Sequence, residues 1–219
     1  MLLTTTNLTK SYHTLEILKG ISLYVDRSDS VAITGPSGSG KSTLLHILGT
    51  LDTPTSGSLE IDGQDLSTLS ESGLSRFRNE TVGFVFQDAH LLPQFSVLEN
   101  VLLPVRAFGR VDAAATEQAE SLIASVGLAE RMTHLPGQLS GGERQRTAIA
   151  RSLIMEPSLL LCDEPTGNLD GQIADTVLEV LLSSAVSEDR ALIVITHSES
   201  LAASMSRRFT LKDGLCSEV

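Results

Sequence analysis

The sequence predicts an α/β fold: a parallel sheet between covering layers, with a small antiparallel β layer and a helical insert. Three observations point there. Val31-Ala-Ile-Thr34 is a short β-prone run that leads into a glycine-rich turn and then an apolar helical stretch. Residues 159–162 and 191–196 are apolar runs ending in polar residues, as central strands of a parallel sheet require when helices cover both faces. Helical patterns over 142–155 and 173–185 alternate with those runs.

Each element follows in chain order. Residues 2–26 and 58–64 join strand character to turn signals, which predicts the antiparallel layer. Leu44, Leu45, Ile47 and Leu48 give residues 41–48 the pattern of a buried helix. Residues 82–86 read as a further strand. Residues 98–137 lack strong β runs, and alanine-rich 112–126 reads as a helix with Asp112 as N-cap and Gly127 as C-cap. Residues 88–150 are therefore expected to form a helical subdomain. Residues 1–87 and 151–219 are expected to form the core of the same single domain.

The composition narrows the function classes. A chain of 219 residues with 41% hydrophobic and 20% charged residues buries a core without staples and suits a soluble protein. The formal net charge of −11 argues against a nucleic-acid partner. Cys162 and Cys216 lack metal-ligand spacing, and Cys162 sits in an apolar run as a core residue would. No disulfide framework is suggested, so a reducing cytoplasm is the expected compartment. Residues 1–10 lack the basic flank and apolar core of a signal peptide. No run approaches the roughly 18 apolar residues that span a bilayer. Any role at a membrane then needs another chain to cross it.

The glycine-rich turn carries the strongest chemical signal. Gly35, Pro36, Ser37, Gly38, Ser39, Gly40, Lys41 and Ser42 fit G-x-x-x-x-G-K-[ST], with Thr43 following. Glycines let backbone N–H groups approach phosphate oxygens, and the next helix points its positive end at them. Lys41 is expected to reach the β- and γ-phosphates and Ser42 to ligate Mg²⁺. Residues 35–43 are thus expected to bind Mg-ATP, which makes the core a P-loop NTPase. At the end of residues 159–162 stand Asp163 and Glu164. In P-loop NTPases an aspartate here holds Mg²⁺. Glu164 leaves in a different direction and suits general-base work on water attacking the γ-phosphate.

A second glycine motif, Leu139-Ser140-Gly141-Gly142-Glu143, precedes a helix carrying Arg144, Arg146 and Arg151. It reads physically as a helix N-terminus able to bind an anion, or as a plain N-cap with Glu143 favourably placed. Residues 139–143 resemble the signature motif of ATP-binding cassette (ABC) ATPases. Further landmarks of that family stand in order. Tyr12 matches the aromatic that stacks on adenine, Gln87 the Q-loop glutamine, Asn168-Leu-Asp170 the D-loop, and His197 the switch histidine. Taken alone, Tyr12 also fits an exposed strand tyrosine and His197 a helix cap.

The resemblance covers essentially the whole chain and implies a RecA-like core. It implies two copies paired head to tail, each ATP lying between one copy's P-loop and Ser140, Gly141 and Gly142 of the other, with Asp170 at the boundary. It also implies that Gln87 joins Ser42 and Asp163 at Mg²⁺, that Glu164 activates water, and that His197 positions the water and γ-phosphate. ATP would glue the dimer and hydrolysis release it.

Within the family, residues 42–57, 90–100, 139–151 and 163–170 resemble the lipoprotein-releasing subgroup, whose relatives include macrolide exporters and cell-division cassettes. The resemblance implies a peripheral subunit on the cytoplasmic face of the bacterial inner membrane. A membrane permease would dock near residues 87–95, where Ala89, Leu91, Leu92, Pro93 and Phe95 offer apolar surface. The alternatives are a macrolide or peptide exporter cassette and a cell-division regulatory cassette. A soluble ABC protein of translation or DNA repair fits poorly, since no second cassette or coiled-coil insert is present. Two departures stand out: Ser28-Asp29-Ser30 replaces the usual glycine-glutamate, an expected change to a turn alone, and Ser198 stands where aspartate is common.

Overall fold

The computed structural model describes residues 1–185 and 189–219. In chain order the strands are β1 (Leu3–Tyr12), β2 (Leu15–Val25), β3 (Ser30–Thr34), β4 (Ser56–Ile61), β5 (Gln64–Asp65), β6 (Val82–Val85), β7 (Leu159–Asp163), β8 (Ala191–Ile195), β9 (Arg207–Lys212) and β10 (Leu215–Glu218). The helices are α1 (Lys41–Leu48), α2 (Glu71–Thr81), α3 (Val97–Val101), α4 (Leu103–Phe108), α5 (Ala113–Ser125), α6 (Gly141–Leu153), α7 (Gly171–Ala185) and α8 (Glu199–Ala203).

Strands β2-β1-β4-β5 form an antiparallel sheet. The central sheet runs β10-β9-β3-β8-β7-β6, parallel from β9 to β6 and closed at one edge by the β9–β10 hairpin. Between β6 and β7 the described chain is helical, with α3 to α6 in succession.

Successive side chains of a strand point to opposite faces, and the central strands use both. Leu159, Leu161, Ala191, Ile193 and Ile195 join one core, with Val31 and Ile33. Leu160, Cys162, Leu192 and Val194 join the other, with Ala32. This explains why these strands read as unbroken apolar runs. The first core is roofed by α1 and by the antiparallel sheet, through Leu3, Leu8, Ile21 and Ile61. So helices cover only one face of the central sheet in full; the other is shared with a β layer, a difference from the expected helix-covered sheet. The second core lies under α3, α5, α6 and α7, with Val97, Ile123, Ile149 and Val177 fully buried.

Helix ends follow the local sequence. Asp112 caps α5, accepting from the Ala115 N–H at 2.8 Å. Val126 is the C-cap, with Gly127 just beyond it at φ 74°. Ser140 and Glu143 form a reciprocal capping box on α6: the Glu143 N–H donates to Ser140 Oγ (3.2 Å) and the Ser140 N–H to Glu143 Oε2 (2.8 Å).

The departure at residues 28–30 reaches beyond a turn. Asp29 accepts from Arg207 at 3.0 Å, and Arg207 also holds Glu218 on β10 at 2.7 Å while lying over Tyr24 and Phe209. Ser30 and Ser206 exchange backbone and hydroxyl hydrogen bonds. These contacts tie β3, β9 and β10 to the antiparallel layer.

Candidate active site

A cleft of about 310 Å³ opens where the parallel strands end at their carboxyl termini, the usual ligand position in open α/β sheets. It is lined by Ser37, Gly38, Gly40, Lys41, Ser42 and Thr43 from the loop after β3, and by Gln87, Asp163, Glu164 and His197. These side chains come from distant parts of the sequence and meet because β3, β6, β7 and β8 are neighbours in the sheet.

The loop is shaped for an anion. Gly40 is the N-cap of α1 at φ 100°, a left-handed conformation that glycine adopts without strain. A Cβ there would stand 2.8 Å from Ile17 Cγ2. No side chain caps α1 and no acid sits in its first turn. The first-turn N–H groups therefore keep their capacity for an outside acceptor, reinforced by the helix dipole. Lys41 is buried, and its Nζ donates to the Gly35 and Pro36 carbonyls at 3.0 Å each. Ser39 Oγ is buried with no hydrogen-bond partner.

Asp163 ends β7, and Glu164 follows at φ 46°, unusual for a residue with a long side chain. Such a conformation costs on the order of 1–3 kcal/mol and persists only where neighbours hold it. Here the Glu164 N–H donates to the Ile195 carbonyl, and the Gly167 N–H to the Glu164 carbonyl, both at 3.0 Å. The turn directs the carboxylate to His197. Oε2 accepts from the His197 backbone N–H at 3.3 Å. Oε1 lies 3.2 Å from His197 Nε2, but without hydrogen-bond alignment, so that buried oxygen has no hydrogen-bond donor.

The remaining predicted residues lie outside this cleft lining. Tyr12, at the end of β1, is exposed; its hydroxyl donates to Asp52 Oδ2 at 2.5 Å and Lys10 Nζ stands 4.8 Å from its ring centre. The Asp52 hydrogen bond is the main reason the Tyr12 hydroxyl is held above its ordinary pKa. Burial works against the Asp52 charge, but hydrogen bonds from Lys10 and Tyr12 outweigh it and hold the carboxyl below its usual range. Ser140 is exposed at the start of α6 and Gly142 is buried there; a Cβ on Gly142 would meet Ile173 Cγ2 at 2.5 Å. Gly141 lies between them, beside Leu169. Asp170 is exposed just before α7, its carbonyl accepting from the Ala174 N–H.

Comparison with known proteins decides what this arrangement is. The ABC transporter family model matches residues 18–167. The chain belongs to the ABC transporter family. It is 52% identical over 217 residues to the lipoprotein-releasing system ATP-binding protein LolD 1 of Rhodopirellula baltica, covering 97% of this chain and 95% of that one. It is 51% identical to the LolD protein of Geobacter metallireducens over 97% of this chain and 96% of that one. Among solved structures it resembles the dimeric post-hydrolysis state of the ATP-binding cassette MJ0796 bound to ADP and Pi, with TM-score 0.89, 35% identity, and 99% and 97% of the two chains covered. The cbiO1 cassette of Clostridium perfringens matches at TM-score 0.88 and 27% identity, covering 99% and 86%. As an ABC cassette, the chain is an ATP-binding ATPase with the cassette's α/β fold.

The donor set in this ABC cleft also fits Mg²⁺. Ser42, Gln87 and Asp163 present a hydroxyl, an amide and a carboxylate to one space. Mg²⁺ prefers such hard oxygens, few in number, because it shares its shell with water and substrate phosphates. Among the described residues no cluster of three or more His, Cys, Asp or Glu side chains could hold a metal alone.

Several side chains around the ABC site escape sequence reasoning. Gln145, buried in α6, donates to the Phe86 carbonyl at 2.8 Å, and Arg151 donates to those of Ala89 and His90 at 2.7 and 2.8 Å. Fully buried Asn100 bonds the backbone of Leu92, Phe95 and Ser96. Together they clamp the segment after Gln87. Their one sequence signal is a polar residue on the inner side of a helix, visible only once the helix face is known. Ile17 also lines the cleft, with no signal at all. Within the clamped segment Leu91 packs on the core, whereas Leu92 is 39% exposed. Beside it a groove of about 400 Å³ runs between α2 and α4, lined by Leu51, Phe84, Phe86, Ala107, Phe108 and Met155 among others.

Proposed function

We propose that this chain is the ATP-hydrolysing subunit of an inner-membrane complex that releases lipoproteins, working as an ATP-closed homodimer on the cytoplasmic face. One observation carries the reading. The acid, amide and imidazole side chains converge on the glycine loop in a chain about half identical, end to end, to lipoprotein-releasing cassettes.

Residues 35–43 bind the triphosphate through the α1 N–H groups and Lys41. Ser42, Gln87 and Asp163 would hold Mg²⁺, which would supply neutralisation of phosphate charge. Glu164 takes the proton of the attacking water on Oε1, the oxygen left without a donor. His197, against that carboxylate, positions it and the water. Tyr12 stacks on adenine with the ring face opposite Lys10. Ser140, Gly141 and Gly142 of a second copy, at the capped N-terminus of α6, close on the γ-phosphate, and Asp170 lines the boundary. This second anion site acts only when ATP bridges two copies, so nucleotide becomes part of the interface.

No described helix is long and apolar enough to cross a membrane; in this reading the permease is another chain. Its cytoplasmic helix docks on the segment from Gln87 to Phe95 and in the adjoining apolar groove. The test is purification of the tagged chain from its own membranes, followed by reconstitution in vesicles with a radiolabelled lipoprotein. ATP-dependent release of the acylated protein to a soluble acceptor is expected. A co-purified membrane partner that releases none would overturn the assignment.

A further inference from the structure

We propose that Asp88 and Asn168 are positioning residues that dictate which end of the Gln87 amide faces the cleft. The inference rests on the reading of Gln87 as a metal ligand given above. A carboxamide carries an oxygen and an NH₂ group of similar size, so shape alone leaves two orientations open. Only the oxygen suits a hard cation such as Mg²⁺.

Hydrogen-bond polarity makes the choice. The Asp88 carboxylate accepts and does not donate. Asn168 therefore meets it with Nδ2, at 3.0 Å. That turns Asn168 Oδ1, an acceptor, towards Gln87, which meets it with Nε2 at 2.9 Å. Oε1 is then the free end of a side chain that lines the same cleft as Ser42 and Asp163. Gly167 closes the donor side: a Cβ there would stand 3.0 Å from Gln87 Nε2. One negative charge thus sets a chain of two hydrogen bonds with a single direction. All three side chains are exposed, so the arrangement governs orientation and adds little to stability.

The test uses Mn²⁺ in place of Mg²⁺, with binding to the protein–ADP complex read by electron paramagnetic resonance. Metal-free ADP affinity is measured alongside. Asn168→Ala and Asp88→Asn each free the amide to turn. Both are expected to weaken Mn²⁺ binding about 10-fold, the low end for residues that orient a ligand, with metal-free ADP affinity unchanged. The double swap D88N/N168D keeps the polarity, because the amide introduced at position 88 can donate to the carboxylate introduced at position 168, which still accepts from Gln87. It is expected to restore Mn²⁺ affinity to within about twofold. Single variants that bind Mn²⁺ as tightly as the parent, or a swap no better than the singles, would overturn the inference. Gln87→Ala separates the two readings. If it leaves Mn²⁺ affinity intact, the metal-ligand reading falls and the inference with it. If it weakens binding while Asp88→Asn and Asn168→Ala do not, the inference falls alone.

Discussion

Lys41 lies beneath its own loop, with its ammonium held by two carbonyls three ångströms away. Those are neutral acceptors, and a triphosphate offers charged ones, which bind an ammonium about twice as strongly. Lys41→Ala should therefore cost about 1.5–3 kcal/mol of nucleotide binding, a ten- to hundredfold loss. A fluorescent-nucleotide titration measures it; unchanged affinity would refute the role of the loop. At this scale the site is legible wherever its residues are contiguous, as in residues 35–42. The Tyr12–Asp52–Lys10 cluster is not, because two of its members come from β1 and the third from the loop after α1, and only the folded sheet brings them together. Asp29 likewise reads in sequence as a turn residue alone, since its partner Arg207 lies 178 positions away.

Among the elements, α6 bears the most chemistry. The Ser140 backbone N–H, with help from Arg131, holds the Glu143 carboxyl at a pKa of about 2 against an ordinary 4.5. A carboxyl depressed by folding stabilises the folded state above its unfolded value and loses that contribution as pH falls through the folded one. The stability difference between the parent and Glu143→Gln should be constant above about pH 5 and shrink towards pH 2, as read from urea midpoints. The same helix packs Gly142 against α7. Gly142→Ala should cost about 1 kcal/mol through the clash with Ile173, and Ile173→Ala in the same chain should recover it; thermal melts compare the three. Helix α6 is legible because its cap and buried stripe are both local. Helix α2 is not, because none of its residues is fully buried and only Leu74 and Phe77 mark its inner side. Strand β9 escapes the sequence as well: Arg207, Arg208 and Lys212 interrupt its apolar pattern, and its place beside β3 comes from a long-range parallel pairing.

For the whole molecule, the two-faced central sheet explains why the fold class is readable early. Strands buried on both sides are unbroken apolar runs, and their length of 5 residues is too short for a buried helix. The second covering layer is harder to read, since a β layer and a helix layer present the same apolar demand to the strands beneath. In the proposed reading, assembly uses the start of α6, where Ser140 is exposed. Glu164→Gln should bind ATP, hydrolyse it far more slowly and accumulate as a dimer. Light scattering at saturating ATP measures this, and a monomer there would refute the sandwich.

Tyr12 adds one more consequence. Its hydroxyl is taken by Asp52 and one ring face by Lys10, so that the stacking proposed above has a single flat, featureless surface to use. A ring face carries no pattern of donors and acceptors, and every base has a face to offer. Recognition of this kind registers that a base is present and ignores its lettering. Guanosine and inosine triphosphates should therefore be turned over with kcat/KM within about threefold of the adenine nucleotide, because stacking is tolerant of base identity. A steady-state comparison of the three substrates measures it. The fuel gauge of this cassette would then read phosphate charge and leave nucleotide choice to cellular abundance.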